Sequence, residues 1–142
     1  MNNIKIARAL VNQGTRRLET AKREYNEGSP AYAIRSSQEC VELALKGALR
    51  LVGIEYPKKH DVSNVLLRFA DRCPRWFEVE KMAKISRIVA EKREPAMYGD
   101  ELSTNPADML FTRDEAKEAF NMTREVLENV SRLISEYEQH TT

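Results

Sequence analysis

Cysteine is scarce: Cys40 and Cys73 are the only two, far apart, with no CxxC pair and no neighbouring histidine, so a disulfide scaffold, a zinc site and dithiol redox chemistry all lack a basis. Long apolar runs are missing as well. A charged residue interrupts every hydrophobic segment before the ~18 residues a membrane span requires, and the start, Met1 to Arg8, is charged too early for a secretory signal. The expectation is a cytoplasmic protein with no membrane partner. Excess charge of one sign is absent too, with 23 Lys and Arg against 22 Asp and Glu. Any anionic partner must therefore be held by a local patch. Five glycines and five prolines exclude collagen-like chains, and the composition also excludes disorder. The phosphate, hydrolase and zinc-protease motifs GxGxxG, GxxxxGK[ST], GxSxG and HExxH do not occur. No segment alternates with period two, which removes a sheet.

What is present is helical periodicity. The 142 residues, 42% of them hydrophobic, suit one domain that buries roughly two thirds of its unfolded surface, with a core over about 4–138 and a polar tail at 139–142. Ile6, Leu10, Gly14, Leu18, Ala21 and Tyr25 recur at steps of three or four and predict a first helix face, stopped at Gly28. Ser29-Pro30 is a start signal for a second. Its stripe runs through Ala33, Ile34, Ser37, Cys40, Val41, Ala44, Leu45, Ala48, Leu49 and Val52 to Gly53. Residues 53–60, with Pro57, form a connection, and Asp61 is placed to cap a short helix carrying Val62, Val65, Leu66 and Phe69. A fourth helix is predicted from Trp76 or Phe77, with Val79, Met82, Ala83, Ile85, Ile88 and Val89 inside, until Pro95 disfavours a helical Glu94. After a loop over 99–111, Thr112-Arg113-Asp114-Glu115 matches a capping box and opens a fifth helix through Ala116, Phe120, Val126, Leu133 and Tyr137. The fold class expected is all-α, an up-and-down bundle of about five helices, four long and one short.

Charge is unevenly placed. Helix one carries a basic excess and helix five an acidic one, which fits side-by-side packing of mostly solvated charges better than a ligand site. Arg72, Arg75, Lys81, Lys84, Arg87, Lys92 and Arg93 form a basic run that could track phosphates, although solvated surface is the commoner meaning of such a run. Arg35, Glu39, Glu42 and Lys46 can reach one another at helical spacing, as an exposed salt-bridge ladder or, with Glu39 partly buried, as a means of orienting an arginine or a substrate. His140 lies in the tail. His60 precedes Asp61 and serves equally well to start helix three or as an acid or base.

Together these residues resemble the HEPN domain, the higher eukaryotes and prokaryotes nucleotide-binding family, over about 6–138. The segment Ser36-Ser37-Gln38-Glu39-Cys40-Val41-Glu42-Leu43-Ala44-Leu45-Lys46-Gly47-Ala48-Leu49 is similar to the family's small-polar, Gln-Glu, Glu, Leu-Lys-Ala-Leu pattern. His60-Asp61-Val62 looks like its His-containing signal before helix three, and Arg93 to Asp100 resembles the end of its fourth helix.

The resemblance implies a symmetric homodimer in which both subunits line one cleft. Many members are metal-independent RNases whose signature is an arginine followed four to six residues later by a histidine. Arg93 matches the first half, but positions 98, 99 and 100 are Tyr98, Gly99 and Asp100. A histidine titrates near 6.5 and a tyrosine near 10, so Tyr98 is a hydrogen-bond donor rather than a proton shuttle at neutral pH. The implied function is thus a nucleotide- or RNA-binding module, with Arg93, Tyr98, Glu39, His60 and Asp100 as candidate phosphate-site residues and neither cofactor nor metal. The resemblance also points to a small nucleotidyltransferase as a candidate partner in a toxin and antitoxin pair. An atypical RNase with Arg-x4-Tyr, and a purely interacting domain in which Arg93 caps its helix and Tyr98 packs on the loop, are the alternatives.

Overall fold

The structure is a computed structural model and describes residues 2–141. Five α-helices follow one another: α1 (Asn3–Asn26), α2 (Pro30–Leu51), α3 (Ser63–Arg68), α4 (Val79–Tyr98) and α5 (Arg113–Thr141). Three short 3-10 turns lie between them, at Ala70–Arg72, Arg75–Phe77 and Ala107–Met109. The described residues hold no strand beyond an isolated bridge between Asp100 and Asn105. The all-helical bundle expected from the periodicity is present, and no helix is long and apolar enough to cross a membrane.

Helix α2 is the axis, with α1, α4 and α5 packed around it. Its stripe of Val41, Leu45 and Leu49 meets Met82 and Val89 from α4 and Val126, Leu133 and Ile134 from α5, all buried. The seam with α1 is made of small residues. A Cβ added to Gly47 would stand 3.2 Å from the Ala7 carbonyl oxygen, so the two backbones approach too closely for larger side chains. This rotates α1 relative to the face read from its sequence: Ala7, Val11, Gly14 and Ala21 are buried, whereas Ile6, Leu10, Leu18 and Tyr25 flank the seam half-buried.

Local signals set most boundaries. Pro30 opens α2, and the Thr112 hydroxyl accepts the Glu115 N–H (3.1 Å) while the Glu115 carboxylate accepts the Thr112 N–H (3.0 Å), completing the capping box. Asp61 Oδ1 accepts the Ser63 N–H (2.9 Å) and the Ser86 hydroxyl (3.0 Å), and Ser86 Oγ accepts the Val62 N–H (3.0 Å). The start of α3, and with it His60, is thereby tied to α4.

Three expectations need correction. Trp76 and Phe77 precede α4 rather than begin it: they occupy a 3-10 turn, Glu78 then turns left-handed (φ 55°), and α4 starts at Val79. Phe77 is core, and Trp76 meets it edge-on while stacking under Arg132. Pro95 does not end α4. It falls in the last turn, where its missing N–H costs the single helical bond to the Glu91 carbonyl and the helix continues, Pro95's own carbonyl accepting the Gly99 N–H (2.9 Å). Glycine is needed at 99, because φ is +75° and a Cβ would lie 2.4 Å from the Asn105 carbonyl oxygen. Finally, α5 stays helical through Gln139 and His140, where the sequence predicts a fraying tail; Thr142, its last residue, lies outside the described residues.

Candidate phosphate site around Arg93

Gln38, Glu42 and Lys46 stand four residues apart on α2 and so share one row of the helix. Glu42 is the hub. Its Oε1 accepts Gln38 Nε2 (3.0 Å) and pairs with His60 Nδ1 (2.7 Å), while its Oε2 accepts Lys46 Nζ (2.8 Å). Burial alone would raise the Glu42 pKa, but these hydrogen bonds and the Lys46 charge win and hold it below the ordinary carboxylate range. Lys46 in turn lies over the Tyr56 ring.

A second row runs beside the first. Glu39 draws in three arginines from three helices: Arg93 of α4 (3.3 Å), Arg17 of α1 (3.4 Å) and Arg35 of α2 (3.9 Å). Arg93 is the most enclosed of them, its side chain 17% exposed against 52% for Arg17. The Arg93 Nη1 that reaches Glu39 also donates to Gln38 Oε1 at 2.7 Å. Gln38 is fully buried with both ends of its amide used, so one side chain joins the arginine cluster to the Glu42 hub. Four cations, Arg17, Arg35, Arg93 and Lys46, face two carboxylates here. The bonded cluster thus holds two more cations than carboxylates, while the recesses beside it are lined by Arg17 and Arg93 together with Glu39, Glu42 and Glu94.

Two adjoining recesses open on the cluster, and His60 and Arg93 line both. One, of about 170 Å³, is walled by Gln13, Arg17, Glu39 and Glu42; the other, of about 290 Å³, by Ala90, Glu94, Met97 and Tyr98. Of the residues singled out from sequence, Glu39, His60 and Arg93 thus come together and Tyr98 borders them, 68% exposed on the last turn of α4. Asp100 faces elsewhere. It lies with Glu91, Glu94 and Glu101 in an acidic recess that shares only Glu94 and Tyr98 with the larger of the two, its Oδ1 accepts the Leu102 N–H (3.1 Å), and hydrogen bonds from Ser103 lower its pKa.

The Arg35, Glu39, Glu42 and Lys46 ladder forms, yet it is enclosed rather than exposed, with Lys46 11% and Glu42 18% accessible. Sequence reading missed Gln38 and Arg17 as site residues. The Gln38 to Glu42 step of four was a usable signal; nothing local marks Arg17, which arrives through the α1–α2 seam. Among the described residues, no group of three or more His, Cys, Asp or Glu is arranged to hold a metal.

The HEPN domain family model matches residues 7–133. The crystal structure of TT1696 from Thermus thermophilus is similar to this chain, with a TM-score of 0.75 and 25% identity over 93% of this chain and 98% of that one. No curated protein matches. The bundle, its length and the match over nearly all of it agree, and the family's role is nucleotide- or RNA-related in general terms. The chain belongs to the HEPN domain family.

Proposed function

We propose that this domain binds the phosphates of a nucleotide or an RNA strand at the Arg93 cluster. The observation that carries the reading is Arg93 itself: an enclosed guanidinium, aimed by Gln38 and Glu39 through Nη1, at the junction of two recesses. Nη2 and Nε have no partner among the described residues, and these are the donors that grip a phosphate bidentately. Arg17 lines the smaller recess and adds charge there, Arg35 pairs with Glu39 beside it, and the exposed phenol of Tyr98 is placed to stack on a base or donate to a phosphate. Asp100, an anion in an acidic recess, is not part of this proposal.

We propose that a second copy of the chain, or a nucleotidyltransferase partner, docks on the surface beside the site. Tyr98, Leu102 and Met109 are exposed apolar side chains around the end of α4 and its following loop. Sedimentation at micromolar concentration checks the homodimer, and monomer alone would remove a shared cleft.

Thermal melting with and without ATP or a short RNA tests the binding. A ligand-dependent rise in Tm that Arg93→Ala and Arg17→Ala both reduce supports it. Arg17→Ala guards against misfolding, since that side chain is half exposed. No rise with either ligand rejects the reading.

A further inference from the structure

We infer that a recess between α1 and α5, on a different flank of the bundle from Arg93, binds a small flat aromatic anion, a carboxylate of one or two rings. The site is independent of the phosphate-binding reading.

Two segments of the chain build it on one pattern. Lys22-Arg23-Glu24-Tyr25-Asn26 on α1 and Lys117-Glu118-Ala119-Phe120-Asn121 on α5 each place an aromatic three residues after a lysine and an asparagine four after it. Side chains at those steps share one face of a helix, so each segment presents its three together. The two helices run antiparallel: Arg8, early in α1, pairs with Glu138, late in α5, while Arg113 at the start of α5 lies over the Tyr25 ring at 4.7 Å. The two triplets therefore meet head to tail across the groove. Their six side chains line a recess of about 180 Å³.

The place is separate from the Arg93 cluster. Five residues turn a helix by about 140°, so Lys22 leaves α1 in a different direction from Arg17, which reaches Glu39.

Charge selects the ligand. Both recesses beside Arg93 have a glutamate in the wall, whereas no carboxylate lines this one. Elsewhere on α5 a cation meets a glutamate four residues on, as Arg124 does Glu128 and Arg132 does Glu136. Lys22 and Lys117 have asparagine at that step, and neither lysine nor either asparagine has a partner among the described residues. Two unpaired ammonium groups over one slot favour an anion.

Shape selects the rest. Tyr25 and Phe120 are half-buried and supply apolar walls, which the lysine stems extend. A flat ring between them gains edge or face contact with both aromatics as well as burial, and the asparagine amides can donate or accept at its rim. The volume is below the roughly 300 Å³ at which sites for drug-sized ligands begin, which limits the occupant to one or two rings.

The test titrates 2-naphthoate, and 2-naphthalenemethanol as its uncharged counterpart, into the isotope-labelled full chain and follows backbone amide shifts by NMR. Naphthoate is expected to shift amides within 22–26 and 117–121 with a Kd of about 1 mM, and the alcohol to bind about fivefold more weakly. Lys22→Gln combined with Lys117→Gln should bring the acid to the affinity of the alcohol and leave the alcohol unchanged; both lysines are exposed, so this variant keeps the fold. Phe120→Ala should weaken both ligands. No shifts with several millimolar naphthoate, shifts confined to other residues, equal affinity for acid and alcohol, or wild-type binding of the acid by the double variant each overturn the proposal, whatever RNA does at Arg93.

Discussion

Arg93 of α4 donates to the buried amide of Gln38 on α2 at 2.7 Å, and the other end of that amide donates to Glu42 at 3.0 Å. One neutral side chain thus couples two charged groups on different helices. A buried amide bonded at both ends to ions is costly to remove, since the ions lose partners and the core gains a void. Gln38→Ala is expected to destabilise the fold by about 2–3 kcal/mol and to weaken phosphate binding with it. Urea unfolding reads the first effect; a midpoint within error of wild type would show that the amide holds nothing in place.

Glu42 makes stability depend on pH in a defined sense. Its folded pKa lies below the ordinary value, so its contribution is present at neutral pH and is lost as pH falls below that value and through the folded one. The gap in unfolding free energy between wild type and Glu42→Gln should therefore be widest near neutrality and close in acid. A gap that widens on acidification would contradict the network.

The α1–α2 seam separates two glycines. Gly47→Val forces a branched side chain against the Ala7 backbone and should cost about 2 kcal/mol by overpacking. At Gly14 the nearest atoms are 3.4 and 3.5 Å away, both on Cys40. Gly14→Ala is thus expected to leave the urea midpoint unchanged or to raise it, since alanine favours a helix by about 1 kcal/mol. Equal losses at the two sites would refute the close approach at Gly47.

Cys40 and Cys73 should differ in reactivity. Burial pushes the Cys40 thiol up to about 12, while Cys73, raised by burial and by Asp71, is only partly covered. Thiolates are what react, so a disulfide reagent at neutral pH should label Cys73 in the native protein and Cys40 only on unfolding. Native labelling of Cys40 at the rate of a free thiol would mean the α1–α2 core opens readily.

The boundaries that sequence shows well are those decided within one turn: Ser29-Pro30 before α2, and Thr112 with Glu115 before α5. The end of α4 is different, because whether a helix survives proline depends on how many turns follow, and here Tyr98 is followed directly by Gly99 folding back on Asn105. Periodicity placed α1 against the bundle but not its rotation, which Gly47 on another helix determines. At the site, Glu39, His60 and Arg93 carried recognisable spacing or resemblance. Gln38 carried a step of four to Glu42, but its bond to Arg93 exists only once α4 packs on α2, and Arg17 likewise joins Glu39 only through tertiary packing.

The most direct test of the phosphate site is equilibrium binding of a short RNA to wild type, Arg93→Ala and Arg17→Ala across a salt series. A phosphate contact removed should flatten the plot of log affinity against log salt by about 0.7 for a single strand. We predict that flattening in both variants, with a loss of about tenfold or more for Arg93→Ala. Unchanged affinity and slope in Arg93→Ala would show that RNA, if it binds, does so elsewhere, and that the cluster around Glu39 only holds the helices together.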